Sequence, residues 1–279
     1  MESGRNDARA LAAACAVATD QGLEFDRAAV IHSGSNVHVH LGPAPVLARV
    51  MTGTAMLHDD LQLWLQRELS VLRFLKPSGL AVRPSSSIDP GPYLRDGLWL
   101  TFCEWVGDHE RADLSSGAEA LGRALRDLHD ALSRFGGELG DLLDVQRDIE
   151  RLRRQLRPTD GVSQRELDRL RDRLFGLTAE VFAAPLPAQA LHGDVSLSNL
   201  LVIDGRLLWN DFEDTFRGPV EWDVASLAVS LRARGAGPAF VARSLDAYGW
   251  AGERDLGAFA QAHDVYGEIW RLYVAQSKL

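Results

Sequence analysis

The first hundred residues carry two different hydrophobic periods. Between residues 37 and 41 valine and leucine alternate with histidine, which predicts a half-buried β-strand, and residues 46–50 follow a Gly-Pro-Ala-Pro turn as its hairpin partner. Residues 61–75 have an apolar stripe at helical spacing, ended by a proline and a glycine, and residues 98–106 again read as a strand. The pattern predicts a small sheet with one helix.

The rest of the chain is dominated by helical periods. A leucine stripe predicts a helix over residues 118–135, and two charged helices follow with stripes over residues 145–156 and 167–177. We expect these two to pack as an antiparallel pair. Short strand-like runs at residues 200–203 and 207–209 flank an Asp-Gly turn, and helices continue to the end.

This order of elements predicts an α+β fold with two lobes. The first lobe, residues 1–106, is a small antiparallel-sheet lobe, and the second, residues 107–279, is mainly helical. The alanine-rich run at residues 10–18 resembles the core of a signal peptide, but Glu2 and Asp7 precede it and alanine inserts weakly into membranes. We therefore interpret it as part of an amphipathic helix.

Composition narrows the classes of ligand. The chain has 30 Lys plus Arg against 39 Asp plus Glu, a formal charge of −9, and no run dense in Lys or Arg, which argues against a nucleic-acid partner. A cationic or metal-chelated ligand fits this charge better. No run approaches the roughly 20 apolar residues of a membrane span. Cys15 and Cys103 lie in apolar surroundings, which predicts buried thiols and a cytoplasmic protein.

The most specific chemical signal is a pair of motifs in the second half. His192-Gly193-Asp194 is followed by Asn199, and Asp211 opens an Asp-Phe-Glu sequence beyond the predicted hairpin. Two carboxylates and an amide brought together by a loop and a tight turn can hold divalent cations through oxygen, and can leave one carboxylate free to accept a proton.

These motifs and their spacing resemble the aminoglycoside phosphotransferase family, the small-molecule branch of the kinase-like fold, over nearly the whole chain. The resemblance implies ATP-dependent transfer of the γ-phosphate to a hydroxyl of a small molecule, with Asp194 orienting and deprotonating that hydroxyl. It implies that Asn199 and Asp211 hold Mg²⁺ against the nucleotide phosphates. His192 and Asp223 are interpreted as structural supports of the loop, Asp223 by bonding its backbone from below.

The predicted helix over residues 61–75 supplies an independent argument. Glu68 falls in the middle of its apolar face, where a carboxylate is costly unless a cation pairs with it. The kinase-like fold implies such a cation on the preceding strand, and Arg49 stands there in place of the lysine common in kinases. We predict an Arg49–Glu68 pair that contacts the α- or β-phosphate.

The remaining nucleotide contacts are predicted from the resemblance alone. The turn that contains Ser35 is expected to cover the phosphates, although it has fewer glycines than a protein-kinase loop. The Glu104 carbonyl and the Val106 amide are the expected adenine contacts, with Cys103 guarding the pocket. Buried strand packing is the alternative for all three. The two histidines at 38 and 40 are interpreted as an exposed strand face rather than a metal pair.

The acceptor is expected to be cationic, such as an aminoglycoside or another amino alcohol or sugar, because acidic residues are frequent near the expected site. For any single one of these acids we favour the interpretation as a solvated helix residue: Asp141, Asp144, Glu213, Asp214, Asp264 and Glu268. The alternative function is a catalytically weak nucleotide-binding pseudokinase or scaffold. A protein kinase is disfavoured because no Ala-Pro-Glu sequence follows Asp211.

Overall fold

The computed structural model describes residues 2–53, 60–107, 109–159, 161–177, 181–182, 186–250 and 256–277. The chain divides into two compact units. The first comprises Met1–Glu110 and Val202–Glu213, and the second comprises Arg111–Leu201 and Asp214–Leu279. This division also assigns Val202–Glu213 to the first unit, so the lobe boundary expected after residue 106 stays a prediction.

Helices and strands account for most of the described residues. In chain order they are α1 (Glu2–Asp20), β1 (Arg27–Ser33), β2 (Val37–Gly42), β3 (Val46–Val50), α2 (Leu61–Leu75), β4 (Tyr93–Arg95), β5 (Leu98–Glu104), β6 (Glu110–Arg111), α3 (Ala118–Leu132), β7 (Gly140–Asp141), α4 (Leu142–Gln155), α5 (Gln164–Gly176), β8 (Gln189–Leu191), β9 (Leu200–Ile203), β10 (Arg206–Trp209), β11 (Phe216–Gly218), α6 (Glu221–Ala233), α7 (Pro238–Tyr248) and α8 (Gly257–Ser277).

The first unit is built on an antiparallel sheet with the strand order β1-β2-β3-β5-β4. The predicted hairpin of β2 and β3 is confirmed, with Val39 opposite Ala48, and Arg49 of β3 lies opposite Thr101 of β5. The mixture of a sheet unit with a mainly helical unit confirms the predicted α+β class.

Helix α1 covers one face of this sheet. Its alanines pack against the alternate residues of β2, β3 and β5, in a core that contains Ala10, Ala13, Ala14, Val17, Ala18, Val37, Val39, Leu41, Val46, Ala48, Val50, Leu98, Leu100 and Phe102. The alanine-rich run is thus the buried face of an amphipathic helix, as predicted. Because side chains alternate along a strand, Arg49 points to the opposite face of the sheet.

Helix α2 has the predicted boundaries. It begins after Asp60, whose side chain accepts a hydrogen bond from the Leu63 amide at 2.9 Å and so caps a free N–H group. The predicted stripe is buried, Glu68 included, and Trp64 and Leu65 pack with Met51 at the end of β3. The helix therefore brings Glu68 to the unit's interior.

In the second unit the closest helix pair is α3 with α7, and α6 packs against α8. The charged helices α4 and α5 are present, but the expectation that they pack as an antiparallel pair is wrong. Each makes its principal helix contacts with α8. A long helix with apolar residues offers both stripes more surface to bury than a second charged helix does.

Two small β-structures carry the motifs. Strands β7, β11 and β8 form a sheet in the second unit, and β8 leads directly into the His192 loop. The hairpin β9–β10 turns at Asp204 and Gly205, both with positive φ, as a tight hairpin requires.

No helix among the described residues has the length and apolarity to cross a membrane. Cys15 and Cys103 are free thiols. Both are half-buried, whereas buried thiols were predicted. Burial raises the pKa of the Cys103 thiol to about 12.

Candidate active site

The loop after β8 is held by a buried carboxylate. Asp223, in the first turn of α6, accepts hydrogen bonds from the amides of His192 at 2.8 Å and Gly193 at 3.0 Å. Asp223 and His192 are both completely buried, and the His192 ring accepts a hydrogen bond from the Asp194 amide at 3.3 Å. This confirms that Asp223 bonds the loop backbone and gives His192 a supporting position.

A second layer of the same network was missed by sequence reasoning. His129 of α3 places Nε2 3.0 Å from the Asp223 carboxylate, and its Nδ1 lies 2.9 Å from the hydroxyl of Tyr248. Burial by itself raises the pKa of Asp223, but the His129 bond and the His192 amide outweigh it, so this pKa lies below its ordinary value. A histidine beside the leucine stripe of α3 was the available signal, because a buried imidazole needs a partner.

Gly193 is required by the path of the loop. Its φ is 89°, and a Cβ at this position would lie 1.9 Å from the carbonyl oxygen of Asp214. The Gly193 carbonyl accepts a hydrogen bond from the Trp222 indole at 2.8 Å. The loop is therefore fixed on both sides just before Asp194.

Asp194 and Asn199 are brought together within the second unit. The Asn199 amide nitrogen donates to the Asp194 carboxylate at 2.7 Å and to the Asp194 carbonyl at 3.0 Å. With its nitrogen bound in this way, the amide oxygen of the buried Asn199 is the group left for a cation. One oxygen of Asp194 accepts this hydrogen bond, which fixes the orientation of the carboxylate.

The predicted pair of Arg49 and Glu68 is confirmed in the first unit. Nη1 of Arg49 donates to Glu68, and Nη2 pairs with Glu213 and lies 3.2 Å from Oδ1 of Asp211. Burial by itself lowers the pKa of Arg49, but the three carboxylates raise it well above its ordinary value. Burial raises the pKa of Glu68, and Arg49 opposes that rise.

Asp211 follows closely on a backbone segment that is fixed by hydrogen bonds of Trp209, two residues before it. The Trp209 amide donates to the Leu80 carbonyl at 2.8 Å, and the Val82 amide donates to the Trp209 carbonyl at 2.9 Å. Asp211 itself has φ 66°, an uncommon value for a residue with a side chain and one found at functional sites.

The oxygen donors of this segment suit a hard divalent cation. Oδ1 of Asp211 is buried and accepts no hydrogen bond from the described residues, although Arg49 lies close. A buried carboxylate oxygen that has an ion pair but no hydrogen bond of good geometry can also accept a hard cation such as Mg²⁺ or Ca²⁺. Among the described residues, no three His, Cys, Asp or Glu side chains form a ready-made metal group, so the roles of Asn199 and Asp211 as ligands stay predictions.

The turn after β1 packs against the end of β3. The carbonyl of Ser35 accepts a bond from the Thr52 hydroxyl at 3.4 Å, and Asn36 accepts one from the Thr52 amide at 3.3 Å. At the other end of the unit, Glu104 closes β5, its amide donates to the Arg83 carbonyl at 2.9 Å, and Val106 lies two residues later. The nucleotide contacts of Ser35, Glu104 and Val106 stay predictions.

Asp194 and Asn199 belong to the second unit, whereas Asp211 belongs to the first.

Several of the acidic residues considered for the acceptor have structural partners instead. Asp141 and Asp144 form the capping box of α4, and Glu268 pairs with Arg173 at 2.7 Å. The interpretation as solvated residues agrees with the positions of Asp141, Asp144 and Glu268. It is wrong for Glu213, whose side chain is only 12% exposed and pairs with Arg49.

A buried arginine–glutamate pair beside an antiparallel sheet, together with an aspartate loop anchored on a helix, is the arrangement of a kinase-like phosphotransferase. The family model described as "Phosphotransferase enzyme family" matches residues 32–259, and the chain therefore belongs to this family. The resemblance drawn from the motifs is confirmed.

Solved structures agree on the fold. The chain is similar to an amicoumacin kinase in complex with AMP-PNP, Ca²⁺ and Ami, with TM-score 0.71 and 13% identity over 93% of this chain and 85% of that one. It is similar to a choline kinase from Streptococcus pneumoniae, with TM-score 0.65 and 16% identity over 95% and 91%.

A choline/ethanolamine kinase family protein from Mesorhizobium loti gives TM-score 0.63 and 15% identity over 98% and 87%. No curated protein matches the sequence.

Proposed function

We propose that this phosphotransferase moves the γ-phosphate of ATP, in the presence of Mg²⁺, to a hydroxyl of a small cationic molecule. The observation that carries the proposal is the Asp194–Asn199 pair on a loop whose backbone is bonded to Asp223. A carboxylate oriented in this way, next to an amide oxygen, can serve both an incoming hydroxyl and a metal-bound phosphate.

Each residue has a separate task in this reaction. Asp194 accepts the proton of the acceptor hydroxyl as the hydroxyl oxygen bonds to the γ-phosphorus and the bond from that phosphorus to the departing ADP breaks. The amide of Asn199 holds that carboxylate in place. Arg49 binds phosphate oxygens of the nucleotide while Glu68 fixes its direction. Asn199 and Asp211 would hold the cation, which would neutralise charge on the transferred phosphate.

The nucleotide assignment is supported by the matched family and by the turn at Ser35. We infer that this turn covers the phosphates and that the backbone of Glu104 and Val106 meets the base, since both segments belong to the same unit as Arg49. ATP is proposed because the chain shares its fold with an amicoumacin kinase that binds AMP-PNP.

A cationic acceptor is proposed from the charge of the chain and from the fold it shares with a choline kinase. A formal charge of −9 attracts amines and disfavours anionic acceptors. Amino alcohols and amino sugars combine the positive charge with the hydroxyl that the reaction needs.

The test is Mg²⁺-dependent consumption of ATP by the purified full chain across a panel of choline-like amines, amino alcohols and aminoglycosides. We expect one group of acceptors to stimulate turnover, and Asp194→Asn to reduce kcat by at least about a thousandfold while the nucleotide still binds. Asp246→Asn, on α7, is the matched control for the charge change.

Two results would contradict the proposal. Phosphoryl transfer that persists in Asp194→Asn would show that Asp194 is not the base. Nucleotide binding without turnover on any acceptor would favour the pseudokinase alternative.

A further inference from the structure

Glu213 is a carboxylate to which the proposed reaction gives no task. Its side chain is only 12% exposed, and it pairs with Nη2 of Arg49 rather than facing solvent as an acceptor-binding acid would. The same Nη2 is 3.2 Å from Asp211, whereas Nη1 is directed to Glu68. The two ends of one guanidinium are thus held by carboxylates from two different segments.

Arginine makes this arrangement possible. A guanidinium is planar and has two terminal nitrogens in a fixed fork, so two acceptors on either side define its plane as well as its position. A lysine ammonium has a single nitrogen and no plane to fix. Glu213 is therefore matched to the arginine at position 49. It holds Nη2 together with the more exposed Asp211, whereas Glu68 holds only Nη1.

Glu213 is also connected to the turn after β1. Nδ2 of Asn36 lies 3.3 Å from Oε2 of Glu213, and Oδ1 of Asn36 accepts a bond from the Thr52 amide at the end of β3. Asn36 is buried, with 7% of its surface exposed. One carboxylate thus joins the expected phosphate-binding arginine to the expected phosphate-covering turn.

We infer that Glu213 is a positioning residue for nucleotide binding. It acts through Arg49, whose guanidinium plane it fixes, and through Asn36, which it links to the turn containing Ser35. The inference rests on the proposed function, since it presumes that Arg49 meets phosphate. Charge alone would have the opposite effect, because a carboxylate close to a triphosphate repels it.

This difference in sign gives a decisive measurement. The affinity of a fluorescent ATP analogue is measured for the full chain with Mg²⁺ and with EDTA. Glu213→Ala is expected to weaken binding about tenfold in both buffers, the size of effect that follows loss of one charged hydrogen bond. Glu213→Gln keeps an oxygen for both partners and is expected to restore most of the affinity. Glu24→Ala, an exposed glutamate of the same unit, is the control.

The route through Arg49 is tested by a double-mutant cycle. Once Arg49→Met has removed the guanidinium, Glu213→Ala is expected to cause only the loss that its bond to Asn36 accounts for, about threefold instead of tenfold. The KM of the acceptor is expected to stay unchanged in Glu213→Ala. If thermal unfolding shows that this variant does not fold, Asn36→Ala replaces it, with an expected loss of about threefold because Arg49 keeps its three carboxylate partners.

Several outcomes would overturn the inference. If Glu213→Ala binds the nucleotide as tightly as the wild type or more tightly, the only effect of Glu213 is to repel the phosphates. A loss of affinity confined to the Mg²⁺ buffer would make Glu213 a metal ligand. A raised KM for the acceptor would place Glu213 at the acceptor site. If the wild type does not bind nucleotide, the proposed function is rejected as well. If the wild type binds and turns over ATP and Glu213→Ala binds it equally well, only this inference is rejected.

Discussion

The position of Glu68 in the sequence is sufficient to predict which kind of partner it has. A carboxylate in the middle of an apolar helix face is costly to bury alone, and the sequence therefore required a cation. The structure supplies Arg49. Glu213 and Asn36, which complete the same cluster, were not predicted as partners, because their approach depends on how two turns are placed rather than on any local pattern.

Glu68→Ala is expected to weaken nucleotide binding about tenfold, because it releases Nη1 of Arg49 and leaves the guanidinium held from one side. Titration of a fluorescent ATP analogue measures the effect. Glu24→Ala is the exposed control, and unchanged affinity in Glu68→Ala would show that the pair has no role toward the nucleotide.

Gly193→Ala is expected to destabilise the fold by about 3 kcal/mol, since the new Cβ would collide with the Asp214 carbonyl in addition to the strain of a positive φ. Gly205→Ala has a positive φ but no atom within 4 Å of the Cβ, and is expected to cost only about 1 kcal/mol. Urea unfolding of both variants separates collision from strain. Equal losses would mean that the loop can move away from Asp214.

Elements pack according to what their neighbours offer, which a stripe of leucines does not reveal. The stripes of α4 and α5 correctly indicated which faces are buried, yet both helices contact α8 instead of chiefly each other. Helices α3 and α7 approach closely because Gly122 has no side chain, and a Cβ there would lie 1.9 Å from the Ser244 carbonyl oxygen.

Gly122→Ala is therefore expected to lower the free energy of unfolding by about 2–3 kcal/mol, through overpacking of the α3–α7 contact. Gly267→Ala on α8 is expected to raise stability by up to about 1 kcal/mol, because alanine is the better helix former and, apart from its own helix backbone and chain neighbours, no atom of the described residues lies within 4 Å of the new Cβ. Chemical denaturation gives both values. A stable Gly122→Ala variant would contradict the close approach of the two helices.

At the scale of the whole molecule, the second unit places titratable groups in its core around α6. His263 of α8 donates to the Trp222 carbonyl at 2.9 Å, and its ring lies 4.3 Å from the Trp222 indole. Burial lowers the pKa of His263, although its bond to Trp222 opposes the shift. The native state therefore resists taking up a proton that the unfolded chain accepts readily.

Stability is expected to fall as the pH drops below about 6.5, the ordinary pKa of histidine, because the unfolded state then binds a proton that folded His263 does not. The lowered pKa of Asp223 acts in the same direction at lower pH, below its ordinary value of about 3.9. His263→Gln is expected to show a smaller loss between pH 7.5 and 5.5 in urea unfolding. A loss as large as that of the wild type would place the pH dependence elsewhere.

Local patterns were sufficient for much of this protein. Alternating apolar residues predicted β2 and β3, and an apolar stripe at helical spacing predicted α2. Turn residues predicted the β9–β10 hairpin, and the spacing of Asp194, Asn199 and Asp211 identified the family. These features depend on neighbours a few residues apart, and their physical causes are side-chain alternation, backbone conformation and the burial of apolar faces.

Contacts between distant segments could be recognised only after folding. The pairing of Arg49 with Glu213 spans 164 residues, and that of His129 with Asp223 spans 94. The sequence shows that a buried charge needs a partner of opposite charge, but it does not show which of many distant residues is that partner. The packing of helices and the paths of loops choose among them, because close-packed interiors admit few arrangements that satisfy every buried polar group.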